Sequence, residues 1–223
     1  MSKEGILYGE YHQKRETRLS LKYRLRRRTD EVLDAIKTFK GDDIKSILDV
    51  GTADGLMLDR LNENLDICRA VGLDMSMELL KSNTNCTSQR IQSNAIKLPF
   101  KDNSFDVIVA AAIIEHVSDA KTMLKECNRV LRKSGLCIIT TPDPFFENIA
   151  TKIGHIKEEQ HIETFNLQRL KFLLSSNGFK ILNTKKFMIS PIGFPFEKTI
   201  EKVMSRLGLE CLMLNQLIVG QKT

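Results

Sequence analysis

The feature that most constrains this chain is a repeated alternation between short runs rich in β-branched and aliphatic residues and longer stretches with helical spacing. "KSILDV" precedes "GLMLDRLNENL", "CRAVGLDMS" precedes "MELLKSNTN", and "RIQSNA" is a weaker third run. "FDVIVAAAI" then precedes the amphipathic "DAKTMLKECNRVLRKSG", closed by Gly135, and "LCIITTP" is stopped by Pro142. Strands joined through helices lie parallel, so this order predicts a parallel sheet with helices on both faces. Further on, "NLQRLKFLLSSNG" reads as a helix ended by Gly178. "FKILNTKKFMI" and "ECLMLNQLIVGQK" read as two strands around "FPFEKTIEKVMSRLG", the final pair forming an antiparallel edge. The expected fold is α/β: a doubly wound, mostly parallel, seven-stranded sheet with an antiparallel last strand, preceded by N-terminal helices.

With 223 residues the chain suits one α/β domain with an appendage better than two domains. Leu21, Leu25, Val32, Ile36 and Phe39 fall at helical spacing, and Asp42 and Asp43 after Gly41 end that segment. Residues 1–40 are therefore expected to be a basic helical cap, and 41–223 the main domain with a lid or acceptor insert near 190–208. The longest apolar stretch, "FDVIVAAAII", is far short of the ~20 residues of a membrane helix. The charged opening "MSKEGILYGEYHQKRE" holds no signal core, so a cytoplasmic protein is expected. Cys68, Cys86, Cys127, Cys137 and Cys211 never form a C-x-x-C pair and read as small buried hydrophobes rather than a disulfide or zinc framework. Of the net charge of +6, +5 lies in residues 1–40, where eleven Lys and Arg face six Asp and Glu. Such a bias fits contact with a polyanion or an acidic membrane surface, or a solvated helix face carrying the mostly polar-faced "RLRRR" (24–28).

In doubly wound sheets ligands bind beyond the carboxyl ends of the strands, where the first strand-to-helix turn lies. Here that turn is "DVGTADG". Gly51 leaves room for a ligand against the backbone, and Gly55 lets the following helix pack close. Asp74 ends the second strand, where a carboxylate can accept both hydroxyls of a ribose. A nicotinamide dinucleotide fits that pattern, but G-x-G-x-x-G is absent and Asp54 is poorly placed for a pyrophosphate. Asp49 suits a ligand with an ammonium group better than one with phosphates. Ala53 stands where a further glycine is expected; it is tolerable at negative φ and strained by about 1 kcal/mol in the left-handed region.

"ILDVGTADG", "VGLDMS", "SNAIKLPFKDNSFDVIVAAAIIEHVSDAKTMLKECNRVLRKSG" and "LCIITTPDP" together resemble the class I S-adenosylmethionine-dependent methyltransferases, which are Rossmann-like, of the compact kind with an E-H-V element after the fourth strand. The resemblance covers residues 44–145 in detail, and "EEQHIETFNLQRLKFLLSSNGFKI" is similar to the segment after the fifth strand in small-molecule members. It implies S-adenosyl-L-methionine as cofactor and S-adenosyl-L-homocysteine as product. By motif, Asp49, Gly51, Thr52 and Ala53 would line the methionine part, Asp74 would take the ribose hydroxyls, and Met75 would pack on the adenine. Asn94 and Ala95 match the adenine edge, with asparagine in place of the usual aspartate, and Ala111 and Ala112 keep the end of the fourth strand small.

Methyl transfer from a sulfonium needs mainly positioning, and a general base only where the acceptor must lose a proton. His116, after Glu115, and His161 are the candidates for catalysis from opposite sides, with His155 in the same loop region as His161. His12 reads as a surface residue, or one on a lid. No cluster has metal-ligand spacing, so no metal is expected. Phe187, Phe194 and Phe196 either pack the insert against the sheet, the default reading, or form an apolar acceptor wall. The leading expectation is methyl transfer, at oxygen, to a small-molecule, glycan or lipid-linked acceptor. The competing readings are methylation of RNA or protein through the basic N-terminal helix, and a cofactor-binding protein without turnover; oligomeric state is open.

Overall fold

The computed structural model describes residues 10–41, 43–84, 88–146 and 162–223. Two N-terminal helices, α1 (Glu10–Thr17) and α2 (Leu19–Phe39), lead into β1 (Ser46–Val50), α3 (Leu56–Asn64), β2 (Arg69–Asp74), α4 (Met77–Ser82) and β3 (Gln89–Gln92). After β4 (Phe105–Ala111) come a single 3-10 turn (Ile114–His116), α5 (Ala120–Val130) and β5 (Leu131–Pro142). The chain closes with α6 (Leu167–Ser176), β6 (Phe179–Phe187), α7 (Glu197–Arg206) and β7 (Asn215–Lys222).

The seven strands form one sheet in the order β3-β2-β1-β4-β5-β7-β6. Strands β1 to β5 pair in parallel, whereas β7 runs antiparallel to both β5 and β6. The last strand is thus inserted between β5 and β6, and β6 rather than the final strand forms that edge. Alternating residues feed two apolar layers. Leu48, Ile108, Ala110, Cys137 and Ile139 face α5 and α6 through Met123, Leu124, Leu170 and Leu174. Ile47, Val107, Val109, Leu136 and Ile138 face α2 and α3 through Val32, Ile36, Met57, Leu58 and Leu61. A strand with both faces covered reads as a continuous apolar run, which is why β4 and β5 were conspicuous in the sequence.

Three local expectations change. The helix expected to run to Gly135 ends at Val130, because Leu131 already pairs with Phe105; an irregularity then brings Leu136 opposite Val107. The strand expected from Glu210 begins at Asn215, after a 3-10 turn at Glu210–Leu212. Cys127 and Cys137 are buried as expected, but Cys68 and Cys211 are exposed; Cys86 lies outside the described residues.

The basic cluster 24–28 is mostly used inside the protein. Arg27 is buried and donates to Glu31 and to Glu201 of α7, each at 2.5 Å, while Lys185 of β6 reaches Glu31 at 2.5 Å. Burial alone would lower the Arg27 pKa, but its hydrogen bonds to Glu31 and Glu201 more than reverse this and hold it above its ordinary value. Arg28 donates to Asn215 from two nitrogens at 3.0 and 2.8 Å. Arg26 alone of these arginines is exposed, so the sequence expectation of a polar-faced cluster holds for one residue in four.

Candidate active site

The site lies where β2, β1 and β4 end side by side, at the point from which the strand order runs in opposite directions. After Val50 the chain folds back over β2: the N–H groups of Gly51 and Thr52 both donate to the Leu73 carbonyl, at 2.8 and 3.0 Å. That turn brings three carboxylates together. Asp49 and Asp54 are buried, and Asp74 is half-buried. The Asp74 oxygens accept from the N–H groups of Ala53 at 2.9 Å and Ser76 at 2.8 Å, with lone pairs left for a ligand. Burial raises the Asp74 pKa against these bonds. Asp49 is pushed up to about 7, chiefly by burial and further by Asp74 and Asp54, while the Thr52 hydroxyl and Arg15 pull the other way. Arg15 offsets part of this negative charge, and a cationic ligand would offset more.

The turn needs residues tolerant of left-handed backbone. Gly51 has φ +77°, and a Cβ there would meet the Ile113 side chain at 2.7 Å, so its freedom serves packing as well as ligand approach. Gly55 caps α3 at φ +80°. Ala53 has φ +53°, so it occupies the strained alternative rather than the tolerable one, and its methyl group is buried.

The remaining expected cofactor residues fall on the same edge. Met75 is 48% exposed directly after Asp74, an apolar surface beside that carboxylate. Ala95 is buried; Asn94 is exposed, and its side-chain oxygen accepts from the Ile96 N–H at 3.1 Å, which fixes the amide. Ala111 ends β4, and Ala112 takes φ +54° while donating its N–H to the Thr140 carbonyl at 2.8 Å.

Next to this edge a cavity of about 70 Å³ is lined by Arg24, Arg28, Ala111, Glu115, His116 and Pro142, among others. Glu115 is buried and accepts from the Thr141 hydroxyl at 3.1 Å. The buried Nε of Arg24 has no hydrogen-bond partner among the described residues. His116 is therefore beside the place where β4 ends, as expected, whereas His155 and His161 lie outside the described residues. Sequence reasoning missed Arg24, Arg28 and Glu115. The i, i+4 spacing of the two arginines, which places them on one helix face, was the signal available.

Two other expectations are corrected. His12 is not a solvated surface residue: its Nδ1 lies 3.0 Å from Asp54, and Arg15 donates to the same carboxylate at 2.6 Å, so α1 is strapped to the turn between β1 and α3. The apolar wall does not form: Phe187 packs in the core, as the default reading had it, with the Arg27 guanidinium 5.7 Å from its ring centroid, whereas Phe194 and Phe196 are 42% and 81% exposed.

A doubly wound sheet with a carboxylate-rich crevice at its switch point suits a cofactor that carries a ribose and a positive charge. Residues 48–139 match the family described as "Methyltransferase domain". The chain is 34% identical over 98 residues to a malonyl-[acyl-carrier protein] O-methyltransferase of Coxiella burnetii, covering 44% of this chain and 34% of that protein. It is 38% identical over 165 residues to an uncharacterized protein of Methanocaldococcus jannaschii, covering 74% of this chain and 61% of that one. The chain thus spans about a third of the first of these relatives. In fold it is similar to an S-adenosylmethionine-dependent methyltransferase from Thermotoga maritima, with TM-score 0.68 and 20% identity over 96% of this chain and 95% of the other. The family match, the relatives and the fold together support a class I S-adenosylmethionine-dependent methyltransferase with S-adenosylmethionine as its cofactor. No described helix is long and apolar enough to cross a membrane.

Proposed function

We propose that the protein transfers a methyl group from S-adenosylmethionine to a small-molecule, glycan or lipid-linked acceptor, at oxygen. The observation that carries this reading is the meeting of Asp49, Asp54 and Asp74 at one turn, with Asp49 buried and its pKa raised to about 7 beside an Arg-lined cavity. When bound, the cofactor supplies a methyl group on a positively charged sulfur. Asp49, Gly51, Thr52 and Ala53 hold the methionine end, Asp74 the ribose, and Met75, Asn94 and Ala95 the adenine. Gly55 sets the start of α3, and Ala111 keeps the crevice open. α1 closes over the turn through Arg15 and His12.

The acceptor occupies the cavity, where Arg24 and Arg28 suit an acidic group and His116 stands at the wall. His116 takes the proton that an acceptor hydroxyl sheds as its oxygen gains the methyl group; His161 is the second candidate for that task. Residues 1–40 act as a cap on the domain formed by 41–223. The internal use of Arg24, Arg27 and Arg28 supports a small acceptor over RNA or protein.

Calorimetric titration of the full chain with S-adenosylmethionine tests the first step, with saturable binding expected and no heat at millimolar cofactor refuting it. Incubation of cell extract with methyl-labelled cofactor then reads whether label enters small-molecule, glycan, lipid or macromolecular fractions. Binding without label in any fraction would favour a cofactor-binding protein lacking turnover.

A further inference from the structure

Helix α7 is turned inside out. On an ordinary surface helix the apolar stripe faces the core and the charges face water. Here the buried residues of α7 are Glu197 and Glu201. Glu197 accepts from the N–H groups of Ile189 and Ser190 at 2.8 and 2.9 Å, and Glu201 from that of Met188 at 2.7 Å as well as from Arg27. The apolar residues Phe196, Ile200, Val203 and Leu207, at i, i+4, i+7 and i+11, are 81%, 40%, 48% and 68% exposed. Ile192, Phe194, Leu209 and Leu212 extend the patch, at 42% to 64% exposed.

Phe196 carries a second oddity. As the residue before α7 it takes φ +63°, a left-handed conformation that costs an L-residue about 1–2 kcal/mol. Glycine or asparagine would ordinarily stand there. A bulky ring is instead held in a strained conformation and presented to solvent.

The charges facing water from α7 are Lys198, Lys202 and Arg206, because both glutamates of the helix are turned inward. Glu210 in the following turn is the nearest exposed acid in sequence, and Asp34 of α2 approaches Lys198 only to 3.8 Å. An apolar stripe with cations beside it matches the interfacial helices that settle into an anionic bilayer surface. Two copies of such a face would bring like charges together, which disfavours pairing with itself.

We infer that α7 and the segment before it form a docking surface for an anionic lipid membrane. Its position gives the docking a use. A Cβ on Gly193 would lie 2.3 Å from the Tyr23 ring, and Glu201 holds Arg27, so the surface is anchored to the turns of α2 whose Arg24 and Arg28 line the cavity. Docking there sets the cavity beside the headgroup layer, where a lipid-linked acceptor resides.

The test is flotation of the full chain with vesicles of phosphatidylglycerol or of phosphatidylcholine, at low and high salt. The chain should float with phosphatidylglycerol and lose most of that binding in high salt or on phosphatidylcholine. Replacing Lys198, Lys202 and Arg206 with glutamine should weaken it roughly a hundredfold, from about 1 kcal/mol per basic residue near the surface. Phe196→Ser with Leu207→Ser should weaken it at least tenfold, without loss of thermal stability or of S-adenosylhomocysteine binding. No flotation of the unmodified chain overturns the inference. So does a dimer in analytical ultracentrifugation that Phe196→Ser dissociates, since a second copy would then cover the face. Retained cofactor binding by a chain that does not float separates failure of this inference from failure of the methyltransferase reading.

Discussion

Replacing Asp49 with asparagine should make the cofactor-free protein more stable above neutral pH while weakening its cofactor. Asp49 is 2% exposed, and its pKa rises from 3.8 to about 7 on folding, with burial as the main cause. A carboxyl group whose pKa is raised on folding favours the folded state fully below pH ~4, and that contribution is lost as pH climbs to about 7. About three pKa units at 1.36 kcal/mol each give an upper bound of about 4 kcal/mol for the stability lost over this window. Asparagine has no charge to desolvate. Urea denaturation of both proteins, without cofactor, at pH 5 and pH 8 measures the difference. The original chain should lose more stability than the variant between those values, by one to a few kcal/mol, and calorimetry at pH 8 should show S-adenosylmethionine binding weakened about 10- to 100-fold, the scale of a lost charge-assisted hydrogen bond. In the original chain, affinity should also fall as pH drops below 7, where binding must displace a proton. Parallel stability profiles for the two proteins would refute the claim that Asp49 is an ionisable group held at a cost.

The other turn positions and the strapping contacts yield three further tests. Ala53→Gly removes the left-handed strain at φ +53° but adds unfolded-chain entropy, so a net gain of about 0.5–1 kcal/mol is expected; a melting temperature lowered by several degrees would contradict it. Asp54→Asn should loosen α1 by removing the anion that Arg15 and His12 share, seen as faster amide hydrogen exchange in residues 10–17 with the sheet unchanged. Arg27→Met should cost about 3–5 kcal/mol in urea denaturation, because Glu201 and Glu31 lose their buried partner, and adding Glu201→Gln should recover part of that loss.

Much of the fold was legible because doubly wound sheets leave local marks. Strands covered on both faces are short apolar runs, and the helices between them are amphipathic, so Ile47 to Val50 and Val107 to Ala110 declared themselves. The Gly51 to Gly55 turn and Asp74 were equally plain, since backbone freedom and a carboxylate at a strand end are properties of single positions. The arginines were not. A run such as 24–28 carries the same charge whether a side chain meets water, a buried carboxylate or a cavity, and only the packing of α2 against α7 and β7 assigns each one. The orientation of α7 was hidden for a related reason: its spacing records an apolar stripe but not which side of the helix meets the protein.

What the sequence determined by itself is the alternation of elements, the parallel pairing it enforces and the acidic glycine-containing turn at the end of β1. These follow from periodicities of two or three to four residues and from backbone limits within one turn of chain. Only the tertiary structure decided that Asp54 anchors α1, that Ala53 sits in the left-handed region, that β7 lies inside the sheet, and that Glu197 and Glu201 point inward. Each depends on contacts between residues distant in sequence, such as the 174 positions separating Arg27 from Glu201. The energy of burying a charge is set by the partner that arrives, which no local pattern records.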